Sequence, residues 1–460
     1  MERGGGEVRH ALTAQPASPR GFLFNVNLVF AGTVINAAVS FTIAVLLARA
    51  LGPEGRGVTS LYQSAVNVGF MVLSLGLGAA AVYFVARRDL TPRQALEVGL
   101  SLTLGAGAAS ALGVLLAYLL FDEALRDADV PYWLAALAVP AAVQFRSVEA
   151  VLQAQGRFAA FNAMGLSLGL TALTALAVVE LTSGLDVSRT VVIWSFAFVP
   201  PAVLGYVLVG RDALPRRPAG PRLLRQVANF GMQSQLSNLV QLLNYRLDSY
   251  LVLIMVGASG VGLYSVGVQL SEGLWFIANS VSLVLLTNLT AGDEAYAARA
   301  TPLVCRGTIL ISTVAALAAG AVSPFVIPTV FGEAFEGAVL PFVLLLPGAV
   351  ALAGTKVLAS YVFSRGRPLI NGGIAAVALA VAVFADVVLI PIWAVEGAAI
   401  GATLGYLVSL ALTAIAYRRL SGGSLVEALV PRPSDIARYH SEARALASRL
   451  PFLGKPVPEP

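Results

Sequence analysis

The decapeptide GASGVGLYSV at residues 257–266 has a near copy, GPEGRGVTSL, at residues 52–61. Aligned, Gly257, Gly260, Gly262 and Ser265 fall on Gly52, Gly55, Gly57 and Ser60, an offset of 205 residues. Glycines clustered this way end one helix and start the next within a few residues, so each segment reads as a tight turn. No strand precedes either one, which argues against a phosphate-binding glycine loop. The offset persists in the apolar stretch that follows, where Ser60, Ser64, Asn67 and Ser74 match Ser265, Gln269, Glu272 and Asn279. Spacings of 4, 3 and 7 put each set on one face of a helix. Upstream of the second turn, Ser234, Ser237, Gln241, Asn244 and Asp248 form another narrow stripe, and the offset pairs Gln241 with Asn36 and Asn238 with Thr33. A further echo joins QGRFAAFN at 155–162 to RGRPLIN at 365–371.

The chain around these segments is 57% hydrophobic and 12% charged, with a mean hydropathy of +0.80, a composition suited to a bilayer rather than to water. Windows of about 20 apolar residues, enough to cross a membrane, recur from Phe22 to Tyr417. They divide into spans near 24–49, 58–86, 95–121, 132–154, 160–181, 190–210, 227–256, 261–290, 303–331, 335–363, 369–391 and 396–417. The first run follows about twenty polar residues and lacks a small-residue cleavage site, so it reads as a span and not a signal peptide. Six spans per half leave both copies entering the membrane in the same direction, the mark of a parallel repeat about an axis along the membrane normal. The expected fold is an all-α polytopic membrane protein, about twelve transmembrane helices in two six-helix lobes around a central cavity. The expected organisation is a cytoplasmic tail (1–21), an N-terminal lobe (22–210), a basic linker (211–225), a C-terminal lobe (226–418) and a second tail (419–460).

The net charge of +5 belongs to this topology and not to a nucleic-acid partner. Arginines occupy the N-terminal tail and alternate loops: Arg87, Arg88 and Arg93; Arg157; Arg211, Arg216, Arg217, Arg222 and Arg225; Arg299 and Arg306; Arg365 and Arg367; Arg418 and Arg419. The intervening loops hold acids, among them Asp122, Glu123, Asp186, Glu333 and Glu396. By the positive-inside rule both termini are cytoplasmic, in the cytoplasmic membrane. From Ser434 onward, Ile436, Tyr439, Ala443, Leu446 and Leu450 share one face, an amphipathic helix for the inner leaflet. With one cysteine, Cys305, and two histidines, His10 and His440, in opposite tails, neither a disulfide, a zinc site nor a serine-histidine-aspartate triad is expected.

Ionisable residues deep in the spans mark functional positions. They are Arg146 and Glu149, Arg246 and Asp248, Glu272, Lys356 and Asp386. Arg146 and Glu149, three apart, can pair along their own helix; Arg246 and Asp248, two apart, point to opposite sides. Arg246, Lys356 and Arg146, with Asn36, Asn67, Gln241, Asn244 and Gln269, are candidates to bind an anionic substrate through charge-assisted hydrogen bonds. Asp248, Glu272 and Asp386 either bind a coupling proton or sodium ion or neutralise those cations. The polar stripes themselves either face a wet cavity or bond to one another within a sealed bundle.

The segments RLDSYLVLIMVGASGVGLYSVGVQLSEGLW (246–275), FADVVLIPIWAVEGAAIGATLGYLVSLAL (384–412) and ARALGPEGRGVTSLYQS (48–64) resemble the Wzx-type oligosaccharide and polysaccharide flippases of the multidrug/oligosaccharidyl-lipid/polysaccharide exporter superfamily. The resemblance implies two six-helix lobes around a central cationic cavity. It also implies transfer of a polyprenyl-diphosphate-linked glycan from the inner to the outer leaflet by alternating access. No cofactor is implied, and a glycan polymerase and glycosyltransferases would be partners. Related lipid II flippases carry arginines deep in the first span, where this chain has Asn25, Asn27, Thr33 and Asn36, and Asp386 stands where such flippases often have asparagine. Two rival readings remain: a multidrug extruder of the same superfamily, which needs acids to dominate its cavity, and a membrane glycosyltransferase or polymerase, which needs a sizeable soluble loop.

Overall fold

A computed structural model describes residues 19–120, 130–275, 278–279, 294–365 and 367–432. The side chains of Asn25, Asn27, Ser234, Ser237 and Asn238, and the amphipathic stretch from Ser434, lie outside the described set. Among the described residues every regular element is helical, which is what hydrocarbon imposes: each backbone N–H and C=O must find its partner inside its own segment. The helices are α1 (Pro19–Leu73), α2 (Leu77–Ala86), α3 (Pro92–Leu120), α4 (Ala135–Ala154), α5 (Phe158–Ser183), α6 (Val187–Phe196), α7 (Val199–Val209), α8 (Pro221–Met255), α9 (Ala258–Gly273), α10 (Glu294–Phe331), α11 (Val339–Ser364), α12 (Pro368–Ser421) and the short α13 (Leu425–Leu429).

Eight segments of the described chain are long and apolar enough to cross a membrane. Two of them are double. α1 breaks at Gly52 (φ 64°, ψ −175°), and α12 breaks after Pro391 at Trp393 and Ala394, the latter at φ 47°. Splitting both yields ten passes, and α8, with 35 residues, and α9, with 16, stand at the seventh and eighth positions. The second pass of α12 folds back tightly because its inner edge is glycine: Gly397, Gly401 and Gly405 press against the Leu389 backbone, Asp386 and Ala382. Such small-residue seams replace the hydrophobic drive that lipid does not provide between helices.

The chain forms two compact units, residues 1–51 with 62–236, and residues 52–61 with 237–460. In the first, α4 is the central helix, packed against α2, α3, α5, α6 and α7. Its Val143, Phe145, Val148, Val151 and Leu152 join Leu96, Val98 and Met164 in the core. Close contact depends on small neighbours, Gly99 against Ser147 and Gly205 against Val148 and Met164. In the second unit α11 holds the corresponding place, packed against α9, α10 and α12. Both central helices follow a 3-10 turn (Tyr132–Leu134 and Glu333–Ala338) and both contain a proline, Pro140 and Pro347. Each is the fourth pass of its half, so the repeat read from the glycine turns extends to the packing.

Both glycine turns lie in the second unit, and they meet. Gly257 (φ 104°, ψ −179°) repeats the Gly52 backbone geometry, a region that costs any other residue strain. A Cβ on Gly57 would collide with the carbonyl oxygen of Ala258, and a Cβ on Gly262 with that of Pro53. The offset of 205 turns Pro53 into Ala258 and Gly57 into Gly262, so one contact is made twice, about a local twofold. We expect Gly57→Ala and Gly262→Ala each to lose about 1–3 kcal/mol through overpacking against rigid backbone. Gly113→Ala, where a Cβ meets nothing within 4 Å, stays within about 0.5 kcal/mol of the parent. Unfolding in detergent micelles measures both.

Candidate functional site

The polar side of α9 organises the deep charges of the second unit. Gln269, Glu272 and, beyond the helix end, Trp275 and Asn279 recur at intervals of three or four residues. Each polar one takes a cation. Arg56 donates from Nη2 to Gln269 Oε1 at 2.9 Å, Arg246 lies 3.4 Å from Glu272, and Lys356 donates from Nζ to Asn279 Oδ1 at 2.6 Å. The Lys356 ammonium also stands 5.1 Å from the centre of the Trp275 ring, a cation–π contact. Among the described residues these three cations thus have one carboxylate, Glu272, as an ion-pair partner, and the described lane carries net positive charge.

The Arg246–Glu272 pair is loose, with the two side chains 38% and 27% exposed. A pair so placed contributes on the order of 0–1 kcal/mol and leaves the guanidinium free to change partners. On the same stretch of α8, Gln241 bonds to Tyr245, and the Asn244 Oδ1 is buried without a hydrogen-bond partner.

Asp248 points away from this lane, as its two-residue separation from Arg246 requires. It is buried, and it accepts hydrogen bonds from the Tyr264 hydroxyl and, at 2.7 Å, from the Ser249 N–H. Asp386 on α12 is 2% exposed, packs against Gly401, and its Oδ1 has no hydrogen-bond partner. Tyr245, Trp275 and Tyr406, with ring centres 4.9 to 6.4 Å apart, pack together, and Trp275 of this group is the ring beneath Lys356.

In the first unit Arg146 and Glu149 form the local ion pair at 2.6 Å, with the Arg146 guanidinium over Phe70 and Phe145. Glu149 and Asn36 face the same small residue: a Cβ on Gly165 would sit 3.8 Å from the Glu149 Oε1 and 3.7 Å from the Asn36 Nδ2. Asn67 is exposed. The structure therefore gathers Arg246, Lys356, Gln269 and Glu272 into one lane, buries Asp248 against Tyr264 and Asp386 against Gly401, and sets Arg146, Asn36 and Glu149 in the other unit. Among the described residues no group of three histidine, cysteine or acidic side chains has metal-binding geometry.

Sequence reasoning missed Arg56. It sits in a short turn on the acid-rich side of the charge pattern, and that exception was its signal. Arg189, on the same side, shows the ordinary resolution: it pairs with Asp186 at 3.2 Å and donates to the Ser183 and Gly184 carbonyls. Arg56 is 6% exposed and has no such acid.

This helical architecture is that of membrane transporters in two lobes. A multidrug resistance MATE family transporter of the MOP superfamily, in an inward-facing conformation, matches with a TM-score of 0.68 at 16% identity, over 84% of this chain and 94% of that one. The lipid II flippase MurJ, in an inward closed conformation, matches with a TM-score of 0.65 at 8% identity, over 86% and 87%. A MOP superfamily transporter from Pyrococcus furiosus, described as having a binding pocket of reverse polarity, matches with a TM-score of 0.55 at 15% identity, over 86% and 94%. These likenesses establish the fold, all-α and polytopic, with twelve helices in two lobes. The chain belongs to the polysaccharide biosynthesis protein family, whose model matches residues 22–289. No match was found among curated proteins.

Tyr264→Phe tests the acidic compartment. Losing the one side-chain hydroxyl that Asp248 accepts from the neighbouring helix should cost about 1–3 kcal/mol, since the carboxylate stays buried. Thermal unfolding in detergent reads the loss, and an unchanged midpoint would show that the bond contributes nothing.

Proposed function

We propose that the protein is a flippase that moves a polyprenyl-diphosphate-linked oligosaccharide from the inner to the outer leaflet of the cytoplasmic membrane, for cell-surface polysaccharide biosynthesis. Its family supports this reading. The single observation that carries it is the cationic lane, in which Arg246, Lys356 and Arg56 outnumber their one carboxylate. A diphosphate bound to sugars loses its hydration in about 30 Å of hydrocarbon unless a polar, positively charged path replaces it. Arg146, Asn36 and Asn67 in the first unit and Gln241 and Asn244 in the second are further proposed substrate-binding residues, and transport proceeds by alternating access. A multidrug extruder for cationic compounds calls for the opposite sign of charge along the lane.

The membrane potential assists the transfer. Carrying a negative headgroup outward from an inside-negative cell releases about 2.3 kcal/mol per charge for every 100 mV. Asp248 and Asp386, with Glu272, form the proposed coupling site for a proton or a sodium ion. The alternating arginine loops support an orientation with both termini in the cytoplasm. The partners on this reading are the glycosyltransferases that build the glycan and the polymerase that extends it.

Arg246→Gln and Lys356→Gln should each slow translocation of a fluorescent diphosphate-linked glycan in proteoliposomes by about tenfold or more, given the strength of charge-assisted hydrogen bonds. Parental rates in both variants would remove the lane from the mechanism. Asp386→Asn should make the rate insensitive to ionophores that collapse the proton and sodium gradients, with passive exchange retained. A gradient response equal to that of the parent would exclude Asp386 from coupling.

A further inference from the structure

Arg56 is a buried charge with no ion-pair partner among the described residues. Its Nη2 reaches one neutral acceptor, Gln269, and its Nε is buried without a hydrogen-bond partner. Among the described residues no carboxylate forms an ion pair with it. A guanidinium does not shed its proton, and a buried, uncompensated charge is among the most costly groups a fold contains. Its place adds to the cost. Gly52 breaks α1, so Arg56 lies in the first turn of the segment that follows, where the helix dipole presents its positive end and disfavours a cation. The second turn brings the start of α9 alongside, with Gly57 against Ala258. Two helix starts and an arginine therefore converge on one small volume.

We infer that Arg56 and Gln269 form an anion subsite for a phosphate oxyanion at the glycine-turn end of the cationic lane. This rests on the flippase reading, which supplies the phosphate as a lipid diphosphate; an inorganic phosphate or pyrophosphate shares the same chemistry. The planar guanidinium offers phosphate paired donors, and Nε is the donor left over. The three acceptors follow one another along the chain, Gln269 for Arg56, Glu272 for Arg246 and Asn279 for Lys356. A diphosphate leaving Lys356 thus meets Arg246 on the way and Arg56 last, and the lane works as a series of cationic stations instead of one binding point.

The test uses the full chain in nanodiscs of neutral lipid, with polyprenyl diphosphate in the disc or with soluble sodium pyrophosphate, and follows the ligand-induced rise in unfolding temperature. We expect the diphosphate lipid to stabilise the parent, Arg56→Gln to weaken its binding about tenfold, and Arg56→Lys to fall between. Without ligand, Arg56→Gln should unfold no lower than the parent, since it removes a charge that has no counter-charge. If it folds poorly, Gln269→Leu replaces it, with weaker diphosphate binding again expected. Undiminished lipid binding in Arg56→Gln, with binding lost in Arg246→Gln, overturns the subsite and leaves the flippase reading standing. Stabilisation by soluble pyrophosphate alone, lost in Arg56→Gln, keeps the subsite and overturns the lipid diphosphate as its ligand. No response to either ligand in the parent overturns both.

Discussion

A helix packs onto a neighbouring carbonyl this closely only where its own residue at the contact lacks a Cβ, and the approach of Gly57 to the Ala258 carbonyl and of Gly262 to the Pro53 carbonyl fixes much else in this protein. The positive φ of Gly52 and Gly257 reverses the chain there, so the next helix starts in a defined register. From Gly257 that register carries Gln269 and Glu272 to one side of α9, where Arg56 and Arg246 reach them, and Lys356 reaches Trp275 and Asn279 beyond the helix end. A side chain at either crossing glycine would push the helix starts apart, and Arg56 would lose Gln269 first, because its turn is the one displaced.

Hydrocarbon makes unpaired polarity expensive, and the second unit answers by sorting its charges. Cations gather along the lane with one loosely held acid, while Asp248 is buried against the Tyr264 hydroxyl and Asp386 against Gly401. The same carboxylates placed on the lane would neutralise it. The sorting leaves Arg246, Lys356 and Arg56 with donors to spare, bonded to neutral amides or to a half-exposed acid, and a ligand phosphate takes those donors without first breaking a strong pair. In the first unit the opposite holds, since Arg146 and Glu149 satisfy each other at 2.6 Å.

How much of this was legible in the sequence depends on the range of the interaction. The twelve passes follow from apolar run length, and Arg146 with Glu149 follows from a spacing of three on one helix. The glycine turns were legible because only glycine adopts their backbone geometry readily. The partner of Asp248 was not: Tyr264 lies sixteen residues away on the next helix, and nothing local selects it over Tyr245 or Tyr250. Breaks inside passes were equally hidden. Leu75 (φ 48°) and Gly76 (φ 71°) interrupt the second pass where Gly76 abuts the Gly231 backbone, a tertiary approach that an unbroken apolar run does not encode. Arg56 was overlooked because a charged residue in a turn reads as exposed, and its burial comes from a second turn 205 residues away.

The two-residue spacing of Arg246 and Asp248 is decisive, because one position more would change the chemistry. Residues two apart on a helix diverge by about 200°, whereas residues three or four apart share a face. An aspartate at 249 or 250 would therefore reach Arg246 on the same side of α8, form the kind of pair that Arg146 makes with Glu149, and cancel one of the lane's cations. At 248 it turns instead to Tyr264, and α8 shows a positive group to one environment and a negative group to the other. A single helix thus belongs to both the cationic lane and the acidic compartment. Any shift of α8 that serves one of them is felt by the other, since the two side chains are held by one rigid stretch of backbone less than a turn long.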